Sequence, residues 1–309
     1  MDGKAAPLRG YGIALVSTAL WSASAVFISY LNNRFGMPPL VLAFWRDFLV
    51  TGIIAGALAL FSRPLLHLGR HNLPFFILYG FVLAIFNSLW TVSVALNGAA
   101  VATVLIYISP AFTALIGWRW FGERVTPLKI AAIGLSLVGC VFASGAHDRS
   151  VWQVNSLGIV VGLGTGLAFT IYSLLGKTSS NRGVNPWTAT LYTFAFGSAF
   201  LLLAQRPDTI LWLSRPLTHH PVSYREAALG WATILMLAIG PTLGGYGLYT
   251  VSLVHLPAST ANLIITLEPA MTAGLAFLFL GDRLAPLQLI GGLVILVAVF
   301  TLRLTKRRS

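Results

Sequence analysis

Three charged residues, Arg46, Asp47 and Glu268, interrupt stretches of the chain that are otherwise apolar. A charge in membrane hydrocarbon costs roughly 2.5–3.5 kcal/mol on insertion scales, so each needs a partner, water or a proton. Glu268 could bind an amino group or exchange protons; the alternative is a protonated structural carboxyl bonded to backbone freed by Pro269. Arg46 could gate or contact a carboxylate, but a structural role is favoured for it and for Asp47. Because neighbours project about 100° apart on a helix, Arg46 and Asp47 are not expected to pair.

The stretch around Glu268 repeats an earlier one. Residues 248–287 align with residues 89–128 without a gap at an offset of 159, and 15 of the 40 positions are identical. Both copies keep a proline, Pro110 and Pro269, which can bend the helix and free a carbonyl at membrane depth. The copies differ just before it, where Ser109 stands opposite Glu268. This difference is where substrate binding or proton coupling is expected.

Polar and aromatic side chains in the other apolar stretches are further candidates for a binding site. A buried amide or hydroxyl group within the membrane must find a hydrogen-bond partner. For any one of these residues taken singly, a role in helix packing is therefore favoured over substrate binding. Together, aromatic faces with a few hydrogen-bonding groups suit a ring-bearing, amphipathic solute. The predicted cavity residues are Trp21, Ser22, Asn87, Trp90, Tyr107, Ser109, Tyr172, Tyr246, Tyr249, Asn262 and Glu268. Glu268 is the coupling candidate, and Arg46, Pro110 and Pro269 are candidates for gating or structure.

The composition identifies the class of protein that holds these residues. The chain is 57% hydrophobic and 9% charged, with a mean hydropathy of +0.82, whereas soluble domains carry about 25% charged residues. It is therefore a polytopic membrane protein. Its net charge of +12 does not predict nucleic-acid binding, because the basic residues lie in short loops and at the C-terminus. The single cysteine, Cys140, offers no disulfide or metal cluster, and no cofactor motif is recognised.

Ten apolar stretches reach the length of about 20 residues that a membrane-spanning helix needs. They predict an all-α polytopic fold of ten transmembrane helices, here called spans 1 to 10. Their approximate positions are residues 11–31, 39–61, 73–96, 99–118, 127–145, 157–176, 186–205, 227–250, 258–280 and 285–304.

The basic residues predict the orientation. With the N-terminus inside, 13 Lys and Arg residues fall on the inner side and 6 on the outer side, which favours two cytoplasmic termini. The alternative is a cleaved signal peptide, because Lys4 and Arg9 precede an apolar run and Ala23-Ser24-Ala25. The run continues to Leu31, which favours a retained helix.

The count of spans gives the duplication a geometry. The offset carries span 4 onto span 9, so each copy has five spans, and an odd number inverts the second copy in the membrane. The predicted domains are residues 1–146 and 156–309. The shared loops, Gly122-Glu123-Arg124 and Gly281-Asp282-Arg283, are expected inside and outside respectively. Two fused copies can form a complete path, so a monomer is expected.

With these features the chain resembles the drug/metabolite transporter superfamily, specifically its ten-helix type built from two EamA-like repeats. The resemblance lies in Ala19-Leu20-Trp21-Ser22, Arg46, Tyr107-Ile108-Ser109-Pro110 with Gly122-Glu123, and Leu267-Glu268-Pro269 with Gly281-Asp282, where Asp replaces the commoner Glu. Within the superfamily the chain most resembles the aromatic amino acid exporters called YddG. The resemblance implies a secondary carrier of the bacterial inner membrane, with a central cavity walled by spans 1, 3, 4, 6, 8 and 9.

The predicted function is export of amino acids, aromatic ones favoured, by alternating access to a site near the midplane. The partners expected are a small-molecule substrate and the lipid bilayer. Export of another metabolite or drug, import, and a passive channel are the alternatives. A membrane enzyme is disfavoured because Arg46, Asp47 and Glu268 lie on separate spans or faces, with no clustered nucleophile, metal site or acid pair.

Overall fold

A computed structural model describes residues 5–123, 125–149, 156–205, 224–272 and 285–305 of the chain. Every regular element in these ranges is helical. Seven helical segments are long and apolar enough to cross a membrane, and two shorter apolar helices, Pro127–Ala143 and Pro286–Val299, correspond to spans 5 and 10. Span 9 is described as far as Thr272. The predicted all-α membrane fold is confirmed.

The helices of the first copy follow the predicted spans closely. Two short 3₁₀ turns, Arg63–Leu66 and Arg70–Asn72, join spans 2 and 3. The helices are Ala5–Trp21 and Ser24–Phe35 for span 1, Pro39–Phe61 for span 2, Leu73–Ile106 with a bend at Gly98 for span 3 and the first half of span 4, Ser109–Phe121 for the second half of span 4, and Pro127–Ala143 for span 5.

The second copy has the same order of elements. Span 8 differs by a π-helical segment, Ala238–Gly244, which contains Pro241. The helices are Ser156–Asn181 for span 6, Pro186–Leu203 for span 7, Tyr224–Leu237 and Gly245–His255 on either side of the π segment for span 8, Ala258–Ile265 and 268–272 for span 9, and Pro286–Thr305 for span 10.

Local sequence explains where several of these helices begin and turn. Pro39, Pro127 and Pro186 are first residues of helices, where the missing N–H of proline costs little and its fixed φ suits the helix. The reversal between spans 3 and 4 occurs at Gly98, which has φ +72°. Glycine adopts this left-handed conformation without the steric cost that other residues bear.

Within the described residues, three spans break in their middle. Span 1 breaks after Trp21, span 4 at Tyr107-Ile108, and span 9 at Thr266-Leu267. The last two breaks lie at the repeat offset of 159, so they are a shared feature of both copies. In spans 4 and 9 the break precedes the proline that was expected to cause it, and Pro110 lies in the first turn of the next helix. The proline therefore starts the second half of its span.

The two copies interlock by pairing spans across the repeat boundary. Span 3 packs along span 6, and its counterpart span 8 packs along span 1. Spans 5 and 10 form a further pair, and spans 2 and 7 another. The cavity described below lies among spans 1, 3, 4, 6, 8 and 9.

Spans 5 and 10 approach each other closely at a glycine. A Cβ added at Gly139 would lie 2.7 Å from Cγ1 of Ile295 and 2.9 Å from the carbonyl oxygen of Gly291. Gly134, on the same helix, has no neighbouring atom within 4 Å of such a Cβ. Small residues at a crossing let two membrane helices pack backbone to backbone.

We expect Gly139→Ala to destabilise the protein by about 1–3 kcal/mol, because overpacking forces the two helices apart. The matched control is Gly134→Ala, which should be neutral or stabilising by up to about 1 kcal/mol through helix propensity. Thermal unfolding of the detergent-solubilised protein measures both. Equal melting temperatures for the two variants would contradict the close crossing.

Candidate functional site

The three helix breaks meet around one small cavity. Spans 1 and 9 each contribute one lining residue from either side of the break, span 4 contributes one residue before its break and one within it, and spans 3, 6 and 8 contribute the other described lining residues. The lining residues are Trp21 and Ser24 of span 1, Phe86 and Trp90 of span 3, Ile106 and Tyr107 of span 4, Phe169 of span 6, Tyr246 of span 8, and Ile265 and Glu268 of span 9. The resemblance implied the same six spans.

Glu268 is the one acid among the described residues that line the cavity, and a tyrosine from the other copy binds it. Oε2 of Glu268 accepts a hydrogen bond of 2.6 Å from the hydroxyl of Tyr107. Within the described ranges no Lys or Arg lies at ion-pair distance from this carboxyl. The carboxyl is therefore held in place by a neutral donor and is free of a competing cation from those ranges.

Aromatic rings form most of the cavity wall. The Trp21 ring centroid lies 4.7 Å from that of Tyr246 in an edge-to-face arrangement and 5.8 Å from that of Phe169. The enclosed volume is about 30 Å³, which holds a water molecule or two and is smaller than an amino acid. These rings must therefore move apart before a solute of that size can enter.

Behind the wall, a polar chain runs from Tyr246 to a buried ion pair on span 2. The Tyr246 hydroxyl donates to Oδ1 of Asn87 over 2.9 Å, and Nδ2 of Asn87 donates to Oδ2 of Asp47 over 2.6 Å. Nε of Arg46 donates to Oδ1 of Asp47 over 3.2 Å. The expectation that Arg46 and Asp47 do not pair is wrong, because the long arginine side chain folds back onto the adjacent carboxylate.

The hydrogen bond between Asn87 and Tyr246 shows where the pseudo-two-fold axis that relates the two copies lies. The two residues are 159 positions apart, the offset of the repeat, so each is the counterpart of the other. Two equivalent residues can touch only where the pseudo-two-fold axis passes between them. The axis therefore passes beside the cavity, as expected of an inverted repeat.

A second polar cluster joins four spans on one side of the cavity. Oδ1 of Asn262 accepts from the Tyr249 hydroxyl at 2.7 Å and from the Ser173 hydroxyl at 3.1 Å. Nδ2 of Asn262 donates to Oγ1 of Thr113 at 2.6 Å. Asn262 and Tyr249 were predicted cavity residues, and the structure places them in this cluster next to the cavity.

Other predicted residues lie outside the cavity lining. The Ser22 hydroxyl donates to the carbonyl of Ala19 over 2.6 Å, and the Tyr172 ring packs behind Phe86 and Phe169. The Ser109 hydroxyl is buried and has no hydrogen-bond partner in the described ranges. These positions support the wall.

Sequence reasoning missed half of the lining. The residues it did not name are Ser24, Phe86, Ile106, Phe169 and Ile265. Four of them are apolar in an apolar chain, so no signal distinguishes them. Ser24 lies three residues after Trp21 and could have been found from helical spacing.

The described residues contain no group of three His, Cys, Asp or Glu side chains able to hold a metal ion. The cavity wall has one carboxylate, one serine and tyrosine hydroxyls among apolar groups. Such a set suits recognition of an organic solute by hydrogen bonds and ring contacts.

The chain matches the model of the EamA-like transporter family twice, over residues 8–145 and over residues 156–304. The chain belongs to the EamA-like transporter family. This family membership places it among the drug/metabolite transporters, as the sequence predicted, and the two matches correspond to two repeats in one chain.

Named relatives of this EamA-like transporter include exporters. It is 28% identical to the threonine/homoserine exporter RhtA of Escherichia coli (strain K12) over 234 residues, which cover 75% of this chain and 71% of RhtA. It is 25% identical to a probable amino-acid metabolite efflux pump of the same strain over 300 residues, covering 93% of this chain and 92% of the pump. Neither name specifies aromatic amino acids, so the resemblance to the YddG exporters stays a prediction.

Two further comparisons concern length and fold. The chain is 26% identical to the transporter sll1319 of Synechocystis sp. (strain ATCC 27184 / PCC 6803 / Kazusa) over 230 residues, which cover 74% of this chain and 65% of that relative. A crystal structure matches with a TM-score of 0.78 at 17% identity, covering 97% of this chain and 98% of the other. The latter likeness shows the shared fold.

We expect Asp47→Leu to destabilise this EamA-like transporter by about 3–5 kcal/mol, because it leaves the Arg46 guanidinium buried without a counter-charge. The double variant Arg46→Met/Asp47→Leu should recover most of that loss, since it removes the pair as a unit. Thermal unfolding and recovery of monodisperse protein measure both.

The control is the exposed pair of Arg34 and Glu226, which lie 2.8 Å apart with side chains 60% and 40% exposed. Replacing Glu226 by Gln should cost no more than about 1 kcal/mol. The buried network would be wrongly assigned if Asp47→Leu were as stable as this control, or if the double variant were worse than the single one.

Proposed function

We propose that this transporter is a secondary carrier that exports amino acids, aromatic ones among them, by alternating access. The observation that carries the proposal is the position of Glu268. Its carboxyl lines an aromatic cavity at the junction of three broken spans drawn from both copies. Transporters with inverted repeats bind their substrates at such junctions of discontinuous helices.

The chemistry of the cavity suits an amino acid. The Glu268 carboxylate complements an ammonium group. The helices Ser24–Phe35 and Ser109–Phe121 begin at or beside the wall, and a helix N-terminus carries partial positive charge that complements a carboxylate. The rings of Trp21, Trp90 and Phe169 complement an aromatic or apolar side chain.

Transport requires the cavity to grow and to open alternately to each side. The helix breaks can act as hinges, because the turns at each break lie outside the regular pattern of helical backbone hydrogen bonds. The π segment Ala238–Gly244 in span 8 is a further place where the helix can adjust, since π-helical turns occur frequently at functional sites. Rocking of one copy against the other would then expose Glu268 to either side.

Glu268 is the proposed coupling residue. A carboxyl that faces a cavity can carry a proton in one half of the cycle and the ammonium of the substrate in the other. The Tyr107 hydroxyl, 2.6 Å away, stabilises the ionised form by donating a hydrogen bond. Exchange of a proton for substrate would couple export to the proton gradient.

Comparisons and charge distribution support the remaining features. The relatives RhtA and the probable efflux pump are bacterial proteins with amino-acid or metabolite substrates in their names. The bias of basic residues supports an inner-membrane protein with both termini in the cytoplasm. Because the name of RhtA includes threonine, threonine is a second test substrate beside phenylalanine.

The test is exchange in vesicles that contain the purified protein. Vesicles loaded with unlabelled phenylalanine or threonine should accumulate the radiolabelled amino acid, and external substrate should accelerate efflux, as a carrier does and a channel does not. Uptake should respond to an imposed pH gradient. A protein that moves neither amino acid under any pH gradient would contradict the assignment.

In the same vesicles, Glu268→Gln should lose the response to pH, because an amide cannot bind the proton, and should exchange substrate more slowly, because a neutral amide binds an ammonium group more weakly than a carboxylate does. The matched control, Glu226→Gln, should keep the pH response of the parent protein. A pH response of parental size in Glu268→Gln would reject its role in coupling, and parental exchange without a pH response would reject its contact with the substrate's amino group.

A separate variant tests the preference for rings. Trp21→Ala should raise the half-saturation concentration for phenylalanine about tenfold, since a ring contact contributes up to about 1.5 kcal/mol. The value for threonine should change less than about threefold, because threonine has no ring to lose the contact. The control is Trp120→Ala, because Trp120 is 69% exposed and does not line the cavity. Equal effects on both amino acids would reject aromatic selectivity.

A further inference from the structure

A cluster outside the cavity joins the two copies at one end of the bundle. Oε2 of Glu123, just after span 4, accepts a hydrogen bond of 3.2 Å from Nζ of Lys129 on span 5. The same oxygen accepts from the hydroxyl of Ser259, in the first turn of span 9. The Glu123 and Lys129 side chains are only 9% and 10% exposed. We call these three residues the Glu123 latch.

The sequence just before Glu123 is built to hold this carboxyl in place. Gly122 ends the helix of span 4 with φ +62°, and the Glu123 amide donates to the carbonyl of Gly117 at 3.2 Å. A Cβ added at Gly117 would lie 3.1–3.3 Å from the atoms of the Glu123 carboxyl group. The carboxyl therefore packs over Gly117, where a larger residue would push it away from its partners.

The latch joins two helices that lead from the cavity to this end of the bundle. It ties the end of Ser109–Phe121 to the start of Ala258–Ile265, and the opposite ends of both helices reach the cavity. Between latch and cavity, Nδ2 of Asn262 bonds Oγ1 of Thr113 over 2.6 Å. Two polar layers thus hold spans 4 and 9 together on the side that is predicted to be cytoplasmic.

A second pocket lies on the other side of the cavity. A pocket of about 610 Å³ lies between spans 1, 3 and 4, with Asn32, Val94 and Val101 in its wall. Val94 lies one helical turn beyond the cavity residue Trp90, and Val101 about a turn before Ile106. The pocket therefore lies beyond the cavity on the side away from the latch, towards the predicted outer face.

The duplication supplies a comparison for the latch. At the repeat offset of 159, Glu123 corresponds to Asp282 and Lys129 to Gln288, while Ser259 corresponds to Ala100 and Gly117 to Ala276. Asp282 and Ala276 lie outside the described residues. The copy at the other end thus lacks the lysine, the hydroxyl and the glycine that makes room for the acid.

Gln288 also has a different role from its counterpart Lys129. Its Oε1 accepts a hydrogen bond of 2.9 Å from the amide of Ala285, so it caps the start of its own span. The side chain that could replace the lysine at this end is therefore engaged within span 10.

We propose that the Glu123 latch keeps the cytoplasmic end of the path closed, and that the sequence differences at its counterpart positions make the substrate-free carrier rest open to the outside. This rests on the proposed alternating access. Substrate and protons would then act on a carrier whose closed inner end must be released in every cycle.

The test measures which side reaches the cavity, without any substrate. In the full chain with Cys140→Ser, the reporter Ser24→Cys places one thiol in the cavity wall. A membrane-impermeant methanethiosulfonate is added to right-side-out and to inside-out vesicles. The parent should be labelled at least about tenfold faster from outside. Faster labelling from the cytoplasmic side would overturn the proposed resting state.

Two variants remove latch bonds from this parent. Ser259→Ala and Glu123→Gln should each raise the labelling rate from the cytoplasmic side about tenfold and lower the rate from outside. Ser259→Thr keeps the hydroxyl and is the matched control, with parental rates expected. Parental rates in both Ser259→Ala and Glu123→Gln would reject the latch.

A reciprocal variant keeps the test decisive if Glu123→Gln folds poorly. Ala100→Ser/Ala276→Gly/Gln288→Lys rebuilds the missing set at the outer end and should lower labelling from outside at least threefold. No decrease would reject the proposed asymmetry. Phenylalanine exchange, measured with native Ser24 and without the reagent, reports on the proposed function separately: shifted accessibility without exchange would keep the latch and reject the substrate.

Discussion

The hydrocarbon of a membrane offers no hydrogen-bond partner, so a helix that breaks inside it must satisfy its backbone within the protein. Spans 1, 4 and 9 meet this constraint with side chains from neighbouring spans. Oγ1 of Thr272 donates to the carbonyl of Ser22 at 2.8 Å, and Oγ1 of Thr170 donates to that of Ser109 at 3.2 Å. The breaks can exist only where these spans meet, and that meeting point is the cavity.

The same constraint controls the charged side chains. Asp47 is bound by Arg46 and Asn87, and Glu268 by Tyr107. Two of the resulting polar links, from Tyr246 to Asn87 and from Tyr107 to Glu268, cross from one copy to the other. Burial of charge therefore fastens the halves of the molecule to each other at the level of the cavity.

Much of the fold could be predicted from the sequence, because long apolar stretches and an internal repeat are strong signals. Trp21, Trp90, Tyr107, Tyr246 and Glu268 could also be named, since polar and aromatic groups are conspicuous in apolar helices. Position along a helix could not place the Arg46–Asp47 pair. It specifies where a Cβ points, whereas a long side chain can bend back to its neighbour.

Other features depend on contacts between distant spans. The break after Trp21 has no proline or glycine beside it in the sequence, and the carbonyl of Ser22 is satisfied by a threonine about 250 residues away. Ile106 and Ile265 carry no polar signal at all. The partners of Glu123 become visible only once the ends of spans 4, 5 and 9 are placed together.

The repeat also indicates which links can persist through a transport cycle. If the two copies exchange conformations, each contact is replaced by its counterpart at the offset of 159. The Asn87–Tyr246 bond is its own counterpart and is compatible with both states, so it can serve as a pivot. The Tyr107–Glu268 bond becomes a contact between Thr266 and Ser109, which has no carboxylate. In such an exchange Glu268, the one acid among the described wall residues, would lose Tyr107 as its partner, and a proton or a substrate ammonium could take the vacated place.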